Sequence, residues 1–299
     1  MLSTLQNEGT RNLRLISQSK VLESLVYIIT RRQHEDEFMI IVINTILNCA
    51  LYKVNAEKLA NLGILKDLVQ LIADTHDYRS LKVRVCIEAI WNILENGGRK
   101  ACLMMAFEEI VNSLFYTFTN VQKCFRLEDR NTRNDICILI NYVVSIPDSH
   151  KYFIYKDDES NSNRISFLEI LLKCATYDET ISIQTEIEFD NRNQGNESVD
   201  NKKKNVIDPK DFSLTTSPED IEFKKIIWTC ILYIIKDNHS KFEVVEVLQK
   251  YRFLSCLLLY LDPEAMKYSC IARWQQPQLK DIQILCLSIL LNIIPLYQD

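Results

Sequence analysis

The chain has 299 residues, of which 47% are hydrophobic, so it is long enough for one large domain or for a repeat array with a sizeable core. Its 35 basic and 40 acidic side chains give a net charge of −5, which argues against a protein that coats nucleic acid or an acidic membrane surface. Only 5 glycines and 6 prolines are present, so the sequence favours helices over many short strands.

Amphipathic stretches of similar length recur along the chain. They lie at 21–32, 64–75, 107–118, 166–177 and 253–262. The first three begin 43 residues apart; each stretch precedes a longer and more apolar helix, and short helical pieces at 55–62 and 241–249 precede two of them. Short, medium and long helices with this period are typical of armadillo and HEAT repeats. The sequence therefore predicts an all-α, armadillo/HEAT-like right-handed helical solenoid of about five repeats that spans 1–299 as a single domain.

The long helices are apolar except for one polar stripe. In the helix that starts at Leu81, Arg84, Glu88, Asn92 and Glu95 follow spacings of four, four and three. Long helices line the concave side of such a stack, so we expect the stripes to form a groove in which amides bind an extended peptide or a helix; the alternative is that they only keep it solvated. The candidate groove residues are Asn44, Asn48, Arg84, Glu88, Asn92, Asn141, Lys225, Thr229, Tyr233 and Asn292.

The stretch NGGRK at 96–100 places two glycines beside two basic residues. A phosphate loop requires a preceding strand and G-x-x-x-x-G-K-[ST] spacing, and here an apolar helical run precedes the glycines. Glycine readily takes the left-handed conformation that ends helices. The stretch therefore predicts a helix end at Gly97 and Gly98, with Trp91 packed between repeats.

Residues 178–216 are polar, carry mixed charge and have no helical period, which predicts a disordered insertion loop within the solenoid. The next helix is expected to begin immediately after it, with Ser217 as the cap and Pro218 in the first helical position.

No catalytic motif or metal-ligand spacing occurs, so the sequence predicts no enzyme activity, no cofactor and no metal site. The ten cysteines form no C-x-x-C pair, and most lie in apolar helical runs, which indicates reduced core thiols in an intracellular protein. The N-terminus lacks a signal peptide, and the apolar runs are too short to span a bilayer. The histidines, expected at the surface, are His34, His76, His150 and His239.

The run LGILKDLVQLIAD followed by CIEAIWNILENGG resembles the armadillo consensus, and Asn92 stands where that family carries its groove asparagine. Nuclear-import receptors of the family also have a tryptophan one turn earlier. Glu88 stands there in this sequence, which argues against recognition of nuclear-import signals.

An ordered set of segments resembles the cilia- and flagella-associated protein 69 family, an armadillo-type family. The segments are VNAEKLANLGI (54–64), IEAIWNILENG (87–97), LEDRNTRNDICIL (127–139), EDIEFKKIIWTCILYIIKDN (219–238) and ARWQQPQLKDIQILCLSILLNIIPL (272–296). They follow the family's order and span most of the chain.

The resemblance implies a non-enzymatic scaffold in the central apparatus of motile cilia, in a projection on a central-pair microtubule. The expected partners are other central-apparatus scaffold proteins, with indirect association with microtubules and no contact with nucleic acid or membrane. The expected location is the axoneme of the cilium or flagellum, and the cytoplasm before assembly. The alternative is a cytosolic armadillo adaptor that captures extended peptides or helices reversibly in its groove.

Overall fold

The structure, a computed structural model, describes residues 11–32, 34–121, 127–155, 165–179, 214, 216–238, 241–268 and 274–294. Within these ranges the regular elements are helices, and no strand occurs. The contacts divide the chain into two compact units, Met1–Tyr152 and Phe153–Asp299. The expectation of one continuous solenoid over 1–299 stays a prediction.

In the first unit the helices repeat the predicted order of short, medium and long. They are α1 (Val21–Arg31), α2 (Asp36–Cys49), α3 (Lys53–Asn61), α4 (Ile64–Ala73), α5 (Leu81–Met105), α6 (Glu108–Val121) and α7 (Leu127–Val144), and residues 11–18 are also helical. Helix α5 packs against α2, α3, α4 and α7, and its apolar side chains are buried on several sides. A 3₁₀ turn (Pro147–Ser149) and α8 (His150–Ile154) follow.

Helix α5 is interrupted at Gly98, where the backbone has φ 58° and ψ −149°. The predicted helix end is confirmed at this residue. Gly97 instead stays inside the helix and is buried: a Cβ built on it would lie 2.8 Å from Cβ of Ala101. The residues after Gly98 form the short helix of the next repeat, which is absent from the predicted elements.

Polar side chains join the medium helices from one repeat to the next. The contacts are Thr30 Oγ1 to Asp67 Oδ2 at 2.7 Å, Arg32 to Asp74 at 2.6 Å, Lys66 to Glu109 at 2.6 Å, and Ser113 Oγ to Gln70 Oε1 at 2.9 Å. The Thr30, Arg32 and Ser113 contacts span 37, 42 and 43 residues. Because these separations are close to the predicted period of 43, the contacts connect successive repeats.

The second unit continues with further helices. They are α9 (Phe167–Ala175), α10 (Pro218–Asn238), α11 (Phe242–Lys250), α12 (Phe253–Leu259), α13 (Pro263–Tyr268) and α14 (Gln276–Ile293), and residues 177–179 are also helical. The predicted start of α10 is confirmed, because Pro218 begins the helix and the backbone N–H of Asp220 donates to Ser217 Oγ at 3.2 Å. Helix α10 packs against α9 and α14, and α12 packs against α11, α13 and α14.

A buried polar network joins these helices. Glu179 is fully buried, and one of its carboxylate oxygens accepts from both Lys224 Nζ and the Tyr260 hydroxyl. The carbonyl of Ala175 accepts from Lys224 Nζ at 3.2 Å and from the Trp228 indole N–H at 3.1 Å. Desolvating a fully buried ion pair costs free energy, and the close contact of the two charges and their additional hydrogen bonds offset this cost.

This network corrects the predicted start of the insertion loop. Asp178 and Glu179, its first two residues, are helical and buried, and Leu214 near its end is also buried. The rest of the segment, 180–213 and 215, lies outside the described residues, so disorder there stays a prediction.

The expectation of surface histidines is wrong for His150, which is buried with Nε2 2.7 Å from the carbonyl oxygen of Val144. His34 and His76 are exposed, and His239 lies outside the described residues. The thiols of Cys49, Cys86, Cys137, Cys230, Cys256 and Cys286 are buried, as expected. Burial raises the pKa of the Cys86 thiol to about 12, so this thiol carries no thiolate at neutral pH.

Candidate interaction surfaces

The polar stripe of α5 contains both free and engaged side chains. Arg84 and Glu88 are exposed and form no side-chain hydrogen bond or ion pair with the residues that the structure describes. Asn92 is half-buried, and its Nδ2 donates to the carbonyl oxygen of Leu47 on α2 at 3.3 Å. The amide of Asn92 therefore links two repeats.

Helix α2 presents a less polar face than its sequence suggests. Asn48 is exposed and Asn44 half-buried, and Asn48 Nδ2 donates to the carbonyl oxygen of Asn44 at 2.9 Å. The largest exposed side chains on α2 are Phe38 and Ile41, neither of which belongs to the predicted stripe. An apolar side chain at helical spacing normally predicts burial, so the sequence pattern contains no signal that these two face solvent.

Helix α7 brings a carboxylate towards α5. Asn141 is half-buried on α7, and so is Asp135, which the sequence prediction omits. Burial and, second, the charge of Glu88 raise the pKa of Asp135 to about 6. Asp135 therefore lies close enough to Glu88 for the two carboxylates to repel each other. The separation of Asp135 from Glu88, close to one repeat, is the signal that could have identified it.

In the second unit, three of the four predicted positions form side-chain contacts within the protein. Lys225 on α10 forms an ion pair with Asp281 on α14 at 2.9 Å, and Thr229 Oγ1 donates to the carbonyl oxygen of Lys225 at 2.8 Å. Tyr233, one turn further, is exposed. Asn292 on α14 is half-buried and donates to the carbonyl oxygen of Ser288 at 2.8 Å.

Trp91 is half-buried, and its indole nitrogen is shielded from solvent and has no hydrogen-bond acceptor among the residues that the structure describes. The predicted packing of its ring between repeats stays a prediction. The groove role of the ten candidate residues stays a prediction, because the structure contains no bound partner.

The NGGRK stretch lines an open pocket together with Lys53 and Glu57. Lys53 Nζ and Lys100 Nζ lie 4.0 Å and 3.9 Å from the carboxylate of Glu57. Because this carboxylate lies beside both lysines and would repel a phosphate, the pocket does not resemble a phosphate-binding site.

The part of the chain that the structure describes contains neither a metal-ligand cluster nor a helix suited to cross a membrane. No group of three or more His, Cys, Asp or Glu side chains there is arranged to hold a metal ion. No helix there combines the length and the apolar character needed to cross a membrane.

A family model described as "Cilia- and flagella-associated protein 69, ARM repeat" matches residues 3–299. The chain belongs to this family. Together with the helical repeats of the structure, the match confirms the predicted all-α, armadillo-like fold class.

Two curated relatives carry the name cilia- and flagella-associated protein 69. The protein from Papio anubis is 24% identical over 212 residues, and the one from Homo sapiens is 23% identical over 218 residues. Each alignment covers 70% of this chain but only 18% of the relative. The match thus places this chain in a cilium- and flagellum-associated family of armadillo-repeat proteins, and the chain spans less than a fifth of the length of these two relatives.

Proposed function

We propose that this chain is a non-enzymatic structural scaffold of the motile-cilium axoneme, in a projection on a central-pair microtubule. The observation that carries the proposal is the match of the cilia- and flagella-associated family over residues 3–299. The expected partners are other scaffold proteins of the central apparatus, with microtubules contacted indirectly and with no role for nucleic acid or membrane.

The structure supports a scaffold through the way its repeats are joined. Side chains on the medium helices bond from one repeat to the next, and Asn92 does the same between long helices. Repeat proteins joined by nearest-neighbour contacts present extended surfaces to partners. The net charge of −5 favours attachment through partner proteins over direct contact with an acidic filament surface.

The exposed stripe supplies a surface for such partners. Arg84 and Glu88 are solvent-facing charges of opposite sign on α5, and side chains of this kind determine which partners associate more than how tightly they bind. We therefore propose that a partner protein binds this chain at these two residues.

Expression of the tagged chain in a motile ciliated cell tests the proposal. The chain is expected in the axoneme and is expected to stay there after detergent and high-salt extraction. Exchanging the stripe charges (Arg84→Glu with Glu88→Arg) preserves net charge and is expected to reduce retention. A matched exchange of the ion pair on the medium helices (Lys66→Glu with Glu109→Lys) is expected to leave retention unchanged.

Absence of the chain from the axoneme would overturn the scaffold role. Association that washes out in high salt would instead favour the adaptor that binds peptides or helices reversibly. Equal retention of the stripe exchange and the wild type would remove Arg84 and Glu88 from the interface.

A further inference from the structure

A small apolar pocket lies in the first unit, where the start of α4 meets the start of α6. Its volume is about 140 Å³. Ala60, Leu65 and Ile110 line its interior and are each at most 3% exposed. Met104 and Phe107 also line it, and Phe107 is half exposed to solvent. This cavity is called the α4–α6 pocket below.

Charged side chains stand at the mouth of the pocket. Lys66 Nζ lies 2.6 Å from the carboxylate of Glu109, and both side chains are more than half exposed. The backbone of Gly63 forms another part of the lining, and a Cβ built on it meets no atom within 4 Å outside its chain neighbours. An apolar interior below a charged rim is typical of the places where protein interfaces receive one anchoring side chain.

Stacking of repeats does not cover the α4–α6 pocket. The two repeats that form it already pack on each other through α4 and α6. Helix α1 packs against α4 from the preceding side, and α7 packs against α6 from the following side. Because repeats are in place before and after it, the pocket is a surface feature of the assembled stack, and only a group from outside these repeats can fill it.

The junction one repeat earlier is joined by polar contacts instead. Lys58 Nζ on α3 donates to the carbonyl oxygens of Ser17 and Ser19 at 3.2 and 3.3 Å, and it lies 3.0 Å from the carboxylate of Glu23 on α1. In the later repeat Met104 lines the pocket from the corresponding short helix, so an apolar side chain stands on the element that carries the lysine earlier. The apolar lining is therefore a property of this junction and not of the repeat as such.

The lining of the pocket favours an aromatic ring as its occupant. An apolar cavity of about 150 Å³ binds benzene, so the α4–α6 pocket has the size for one such ring. The sulfur of Met104, the ring of Phe107 and the ammonium group of Lys66 each interact more favourably with an aromatic ring than with an aliphatic side chain. An aliphatic occupant would gain burial but none of these three interactions.

The charged rim favours tyrosine among the aromatic side chains. Tyrosine combines an apolar body with a hydroxyl that bonds at a wet edge, and aromatic residues are enriched at protein interfaces. We propose that the α4–α6 pocket receives a tyrosine of a partner protein, with the ring inside and the hydroxyl beside Lys66 and Glu109. The proposal concerns binding by the chain itself, so it does not rest on the location of the protein in the cilium.

Methyl NMR of the purified full chain tests the proposal, with N-acetyl-tyrosine amide as the probe. The chain has five methionines, and the Met104 methyl signal reports on the pocket. Titration is expected to move this signal upfield, because a bound ring shields nuclei that lie over its face, while the signal of the buried Met39 on α2 stays in place. Phe107→Ser removes an aromatic side chain from the lining and is expected to abolish the shift. Phe242→Ser, which changes a side chain on α11 that is 76% exposed, is expected to leave the shift unchanged.

Circular dichroism verifies that each variant is folded, and the milder Phe107→Leu replaces Phe107→Ser if the latter unfolds. N-acetyl-leucine amide, the aliphatic control, is expected to move the Met104 signal much less than the tyrosine probe does at equal concentration. A Met104 signal that the tyrosine probe leaves in place overturns the proposal, and this result is also expected if another part of the chain already fills the pocket. Equal shifts with the leucine probe, or an undiminished shift in a folded Phe107 variant, overturn it as well.

Discussion

Replacement of Gly98 by alanine tests whether α5 is broken at this residue. Its dihedral angles, φ 58° and ψ −149°, lie in a region that only glycine populates readily. A Cβ added there would meet no atom within 4 Å outside its chain neighbours and its own helix backbone, so strain in the local backbone is the only expected cost. Strain of this kind costs about 1–3 kcal/mol in the free energy of unfolding.

The sign of the effect is more informative than its size. If Gly98 were an ordinary helical residue, alanine would stabilise the helix by about 0.5–1 kcal/mol. A broken helix therefore predicts a loss of stability where a continuous helix predicts a gain. In a unit of this size, each 1 kcal/mol corresponds to about 2–4 °C in Tm.

Urea unfolding and thermal melts of the purified chain measure the change, with two glycines as controls. Gly63→Ala is expected to cost about 1–2 kcal/mol, since Gly63 has a left-handed backbone (φ 82°, ψ 10°) and open space around it. Gly97→Ala is expected to destabilise through the close approach to Ala101 instead. A Gly98→Ala variant as stable as the wild type, or more stable, would refute the interpretation of a broken helix.

Three other changes give separate tests. Glu179→Gln or Lys224→Met alone is expected to lower the free energy of unfolding by about 3–5 kcal/mol, because each leaves a buried partner uncompensated; in urea unfolding the double variant should lose less than the sum of the two, and strict additivity would contradict the pairing. Asp135→Asn is expected to stabilise the protein by about 1 kcal/mol at neutral pH, a value reduced for screening by solvent. The pKa of Asp135 is raised from 3.8 to about 6, chiefly by burial and then by the charge of Glu88, so the ionised carboxyl lowers the stability of the protein as the pH rises from 3.8 to about 6. The stability gained by Asp135→Asn should therefore disappear when unfolding is measured at the acidic end of this pH range. Asn92→Ala should cost about 0.5–1.5 kcal/mol through loss of the bond to α2, and unchanged unfolding would show that this bond contributes nothing.

Local sequence patterns predicted the repeat because amphipathic periodicity is a property of neighbouring residues. The predicted stretches 21–32 and 64–75 correspond to Val21–Arg31 and Ile64–Ala73. The sequence does not predict the short helix after Gly98. It is too short to display a period, and the stretch ENGGRK at 95–100 separates its apolar residues from those of the long helix before it.

Burial of charged groups could not be predicted in this way. Lys224 and Glu179 look like surface residues when each is considered with its sequence neighbours, and Glu179 begins a strongly polar segment. Lys224 and Glu179 lie 45 residues apart in the chain, and Tyr260 lies 81 residues from Glu179. Contacts at such distances depend on how repeats stack, which hydropathy does not encode.

Hydrogen bonds within the protein change how the predicted groove would recognise a partner. The amide donors of Asn48, Asn92 and Asn292 already donate to carbonyl oxygens within the protein. A bound peptide would have to displace these hydrogen bonds, and exchanging one amide hydrogen bond for another yields little net free energy. Arg84 and Glu88 are exposed and bond to no described residue, so a partner gains their interactions without breaking others. Recognition at this surface is therefore expected to depend on the charges of Arg84 and Glu88, and not on the asparagines that first suggested a groove.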